Sequence, residues 1–198
     1  FKCGHGHKLT RGRSMQMLAM VDAARARGVD VTVESYPYIA GSSGLMSLLQ
    51  PWVTKGKPQE VVERLKDPAV RARIRAEVAH KDEAPLPGFC YGWPDYPSSY
   101  LSYTSTAEYK PLEGKSMTKL AALLGRDPVD AICDILIADN LETKIVHFGT
   151  ADPKGLEEME QDVRNIMQHH AHMFGSDSLN VGSKPHPRAY GTFPRYLG

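Results

Sequence analysis

The sequence predicts an α/β fold, and two observations carry that prediction. An amphipathic helical stretch starting at Ser14 runs straight into a β-branched segment at 29–38. The same helix-to-strand step returns near the carboxyl end, where the helical stretch 156–169 leads into an apolar run at 172–175. A helix feeding a strand in this way is half of a βαβ repeat, the unit of parallel sheets covered by helices.

In the first helix Met17, Leu18, Val21 and Ala24 share one face, and Arg25, Arg27 and Gly28 close it with cations and a stop signal. Residues 29–38, VDVTVESYPY, then alternate Val29, Val31 and Val33 with polar neighbours until Pro37 ends the ladder, and FKC at 1–3 reads as the tail of an earlier strand. Residues 51–115 break this rhythm with Pro51, Pro58, Pro68, Pro85, Pro87, Pro94, Pro97 and Pro111 around a charged helical stretch at 59–80. They read as an insertion. Its aromatic run FCYGWPDYPSSYLSY fits an aromatic lid or a proline-rich loop packed on its own side chains. Two short amphipathic helices follow at 116–124 and 128–138, the second capped by Asp127 with Pro128 in its first turn. KIVHF at 144–148 reads as a strand, and the stretch after Ser178, with Pro185, Pro187 and Pro194, as loop. The organisation is thus 1–50, an insertion at 51–115, and 116–198 ending in a loop that carries functional groups.

The 198 residues are 41% apolar, enough for one sizeable core, and their net charge of +1 provides no field to recruit nucleic acid or a membrane surface. A small-molecule substrate fits better. Three separated cysteines, Cys3, Cys90 and Cys133, suit reduced thiols and a cytoplasmic setting. Phe1 is not a natural initiator, so an upstream segment is expected.

Three clusters carry chemistry-bearing side chains. Cys3, His5 and His7 supply soft and imidazole donors at metal-ligand spacing, or are chance members of a glycine-bounded loop. Gly175-Ser176-Asp177-Ser178 delivers a carboxylate where the chain leaves a strand, either to bind a metal or carry a proton, or to cap the next turn. In Lys184-Pro185-His186-Pro187-Arg188 two prolines stiffen a loop presenting His and Arg, where Arg188 clamps a carboxylate or simply lies on the surface. His169, His170 and His172 could mimic a metal cluster, but the first two close a helix whose dipole suits imidazolium, and His147 reads as a packed strand residue rather than a ligand.

Taken together, VTVESYPYIAGSS at 31–43, MFGSDS at 173–178 and KPHPRAYGTFPRYLG at 184–198 resemble the N-acyl-D-amino-acid deacylase group of the amidohydrolase superfamily. FKCGH, the Pro51-Trp52 pair, LKDP at 65–68 and GKSMTKLAALLGRDPVDAICDIL resemble it as well. The resemblance implies part of a distorted (β/α)8, TIM-type barrel from an enzyme that hydrolyses N-acyl-D-amino acids with Zn2+. It implies that Asp177 activates the attacking water, protonates the leaving amine and serves as a weak metal ligand. It further implies that Lys2, Tyr36, Ser42 and Arg188 hold the substrate, with Lys2 and Arg188 as cations for its carboxylate, and that the main metal ligands lie upstream of Phe1. Ser178 stands where the group commonly has glycine and Glu34 where it has aspartate. Two other readings remain open at this point: a cyclic-amide hydrolase related to hydantoinases and dihydroorotases, and a non-catalytic barrel fragment that binds a ligand or a partner subunit.

Overall fold

The computed structural model describes residues 10–79 and 95–198, and the chain forms two compact units. The elements are mixed α and β, as the sequence predicts.

The first unit takes residues 10–41, 150–180 and 186–198. Its strands β1 (Val33–Ser35) and β5 (His172–Phe174) pair in parallel, with Val33 opposite His172 and Ser35 opposite Phe174. Each strand follows a helix, α1 (Ser14–Ala26) before β1 and α7 (Pro153–Met167) before β5. Leu18, Val21, Val33 and Ile166 form the core between them, with Met17 and Val31 packed on it.

Asp162 of α7 is the polar tie between the two helices. Arg13 supplies no side-chain cap to α1. Instead the buried Asp162 carboxylate accepts the backbone N–H of Gly12 at 2.6 Å and of Ser14 at 3.0 Å. A donor at a helix start has no intrahelical partner, and here another helix supplies one.

The predicted strand at 29–38 shrinks to three residues because its first part finishes the helix. Gly28 has φ +86°, and the N–H of Val29 bonds back to the carbonyl of Ala24 at 3.1 Å. The carboxyl end departs from expectation in the opposite direction. Residues 188–197, read as loop, form helix α8 (Arg188–Leu197), with Pro194 inside it and Gly191 N–H bonded to Pro187 at 2.8 Å. Proline and glycine content argued for a loop, yet Pro187 stands at the N-cap, where a missing N–H costs nothing.

The second unit spans residues 42–149 and 181–185 and includes the short helix α2 (Pro51–Thr54). Its three-stranded sheet runs β2 (Gly41–Gly44), β4 (Lys144–His147), β3 (Ser99–Tyr103). KIVHF is a strand as predicted. Its antiparallel partner β3, with Ser99 opposite His147, comes from the proline-rich segment. The charged stretch at 59–80 divides at Pro68 into α3 (Pro58–Lys66) and α4 (Pro68–Ala79), because proline cannot continue the ladder and Asp67 caps the second helix through Ala69 N–H at 2.8 Å. Helices α5 (Met117–Leu124) and α6 (Pro128–Ala138) match prediction, with Ser116 and Asp127 as caps. Their apolar faces join Leu45, Leu65, Ile74, Leu101 and Ile145 in one core. Arg71 binds Asp130 and Asp134 across α4 and α6 at 3.4 and 2.8 Å. Cys133 is buried there and burial pushes its thiol up to about 11, so it is an inert core residue. Among the described residues, no helix is long and apolar enough to cross a membrane.

Asp162→Ala leaves two helix-start donors unpaired and is expected to destabilise the protein by about 1–3 kcal/mol in urea unfolding. Asp162→Asn keeps one acceptor oxygen and should lose less; equal stability of all three proteins would refute the role of this carboxylate.

Candidate functional site

Both strands of the first unit end on the same side, and the chain there brings together residues far apart in sequence. Gly175 continues the pairing through its N–H to Ser35 at 3.1 Å. Two residues on, Asp177 takes φ +46°, the left-handed region that Asp and Asn tolerate better than other side chains. This turn leaves the Asp177 side chain 41% exposed and places its Oδ2 2.9 Å from Nη1 of Arg188.

Arg188 is only 2% exposed. It begins α8, and its guanidinium carbon lies 4.7 Å from the centre of the buried Tyr36 ring. Among the described residues its buried Nε has no hydrogen-bond partner. Asp177, Arg188 and Tyr36 converge, with the carboxylate and the guanidinium bound to each other. Ser42 falls in the second unit, and Lys2, Cys3, His5 and His7 lie outside the described residues.

His186 corrects the picture of a loop presenting cations. It is 1% exposed. Its Nδ1 accepts the backbone N–H of Arg188 at 2.9 Å, and its Nε2 faces the carbonyl of Ala40 at 2.8 Å. These partners require Nε2 to carry the proton and Nδ1 to be bare, so the ring is a neutral brace between the segment after Tyr36 and the start of α8. Burial first, then the neighbouring Arg188 charge, lower its pKa to about 4, against the opposing pull of the Ala40 bond and Asp177. The rings of Tyr36 and Tyr38 meet it edge-on at 5.9 and 5.4 Å.

Helix α8 is seated by contacts that no sequence motif announced. Tyr196 donates to the carbonyl of Ser35 at 2.6 Å and its ring lies 4.3 Å from that of Phe174. Arg195 covers Tyr38 at 5.0 Å, and a Cβ on Gly191 would overlap the Tyr38 hydroxyl, so glycine permits the close approach. The helical spacing of Arg188, Gly191, Arg195 and Tyr196 was the available signal, but reading that segment as loop hid it.

The other histidines separate. His172 pairs with the Ser35 hydroxyl at 2.8 Å, and burial, followed by the charge of His169, lowers its pKa. His147 is buried in β4, as expected of a packed residue. His169 and His170 follow the end of α7 and face Asp22 of α1. Among the described residues, no set of three His, Cys, Asp or Glu donors gathers around Asp177.

No family model matches the chain. The D-aminoacylase of Alcaligenes xylosoxydans xylosoxydans is 27% identical over 187 residues, which is 94% of this chain and 26% of that protein. The N-acyl-D-glutamate deacylase of the same organism is 28% identical over an equal span, again 94% and 26%. The chain therefore spans about a quarter of the curated relatives it matches. A crystal structure of D-aminoacylase, described as defining a novel subset of amidohydrolases, superposes with a TM-score of 0.58 at 26% identity, covering 100% of this chain and 30% of that one. N-acyl-D-glutamate deacylase from Bordetella bronchiseptica, complexed with zinc and a phosphonate inhibitor, gives a TM-score of 0.61 at 23% identity with the same coverages, a likeness of fold.

Because His186 is buried neutral, the unfolded chain binds the extra proton between about pH 4 and pH 6.5, so stability falls as pH drops through that window, by roughly 3 kcal/mol in all. Urea midpoints measured from pH 7.5 to 4 are expected to show this slope, and His186→Gln to flatten it. A wild-type slope unchanged by the substitution would exclude the brace.

Proposed function

We propose that this chain, a relative of the D-aminoacylases of the amidohydrolase superfamily, is part of a longer zinc-dependent hydrolase that cleaves the amide bond of N-acyl-D-amino acids. The convergence of Asp177, Arg188 and Tyr36 at the carboxyl ends of two parallel strands carries the reading, since that end is where barrel enzymes keep their chemistry. In this reading 1–50 and 116–198 belong to a partial, distorted (β/α)8 barrel, with 51–115 inserted between them. The exposure of Met173 at 49% and Phe174 at 59% supports a larger sheet, because parallel strands are ordinarily covered on both faces.

Amide hydrolysis requires a proton acceptor for the attacking water and a proton donor for the leaving nitrogen. Asp177 does both in turn: it takes the proton as the water oxygen attacks the carbonyl carbon, then releases it to the amine as the carbon–nitrogen bond breaks. Arg188 orients that carboxylate and, with Lys2, serves as a cationic partner for the free carboxylate of the substrate. Tyr36 fixes the guanidinium plane.

Zinc enters through the relatives, one bound to zinc and another described by its binuclear metal centre. The described residues near Asp177 do not by themselves make a site for it, so its principal ligands lie elsewhere in the parent polypeptide.

Asp177→Asn tests the assignment cleanly, because Asn also accepts positive φ while lacking a titratable oxygen. In the complete protein it is expected to lower kcat by about a thousandfold, the middle of the range that general acid–base catalysis supplies, with zinc content nearly unchanged. Full turnover in this variant would overturn the proton-carrier role.

A further inference from the structure

We infer that Asp22, His169 and His170 form a second site, for a divalent transition cation of the zinc, nickel or copper class, at the end of the parallel strands opposite Asp177. The two histidines precede β5, whereas Asp177 follows it. Asp22 reaches them from α1, so the donors come from two elements that the core already holds together.

The geometry is close to that of a metal site. One carboxylate oxygen, Oδ1 of Asp22, lies 3.1 Å from Nε2 of His169 and 3.6 Å from Nε2 of His170, and the three donor atoms all lie within 4.8 Å of one another. A tetrahedral ion with bonds of about 2.0–2.1 Å has ligand atoms about 3.4 Å apart, and the two measured separations bracket that edge. Two imidazoles and one carboxylate favour the zinc, nickel and copper group over calcium or magnesium, which take oxygen donors.

The ligand arms are also partly preset. His169 has a side chain only 9% exposed, and the rings of His169 and His170 lie 4.4 Å apart at an angle of 35°. An open groove lined by Ala19, Asp22, Asn165, Gln168 and His169 adjoins the cluster, leaving room for a fourth ligand such as water. One contact opposes binding. The N–H of Ala171 points at Nδ1 of His169 at 3.3 Å, and ligation through Nε2 moves the ring proton to Nδ1 and gives that contact up. The contact is long, so its loss weakens the site without abolishing it.

This inference does not rest on the deacylase reading, and its test is separate. Because Cys3, His5 and His7 offer another donor set, the 198-residue chain is first prepared with all three replaced by Cys3→Ser, His5→Asn and His7→Asn. Calorimetric titration with zinc is expected to show one equivalent bound, and copper is expected to broaden the amide resonances of Asp22 and Ala171. His170→Asn, at a position whose side chain is 66% exposed and therefore safe for folding, and Asp22→Asn are each expected to weaken binding at least tenfold, whereas Asp177→Asn leaves it unchanged. Absence of a bound equivalent, or titrations of His170→Asn and Asp22→Asn that superimpose on the parent curve, would overturn the site.

Discussion

The first unit is organised around the Arg188 guanidinium, which is held out of water in contact with Asp177 and Tyr36. An arginine keeps its charge in a protein interior, and an uncompensated buried charge costs several kcal/mol, so the fold must bring a carboxylate to it. Three structural choices follow from that demand. Asp177 adopts a backbone conformation open to few residue types, His186 stays neutral to brace the Arg188 backbone, and α8 starts where the guanidinium can lie against Tyr36.

The same interaction is what the proposed function draws on. A carboxylate held by a fixed cation is oriented before any substrate arrives, as the proposed proton carrier requires. The neutral His186 adds to this economy: a second cation beside Arg188 would compete for Asp177, and burial removes it. The second unit has a different character. Its interior is a continuous apolar core bounded by ion pairs between α4 and α6, and its buried cysteine is unreactive.

Much of this was legible from residue patterns because the signals were local. Asp127, Pro128 and the apolar spacing after them specify α6 without help, and HMFGSD announces a strand delivering an acid. What escaped was set by distant partners. The segment 188–197 looks like loop by its proline and glycine, and becomes a helix because Tyr196 reaches Ser35 and Gly191 fits beneath Tyr38. His186 reads as a presented cation until the carbonyl of Ala40, 146 residues away, fixes its tautomer. Likewise β3 hides among prolines and aromatics because its pairing with β4 is not local. Asp22 carried no signal at all until α1 was set beside the end of α7.

The most direct measurement compares zinc-dependent hydrolysis of N-acetyl-D-methionine by this 198-residue chain and by the parent polypeptide extended on its amino side. The account predicts turnover by the extended protein and none by the short chain, because in the proposed reading the principal donors for the catalytic metal lie outside these residues. Turnover by the short chain at a rate matching the extended protein would contradict it and would require a complete catalytic site within these residues.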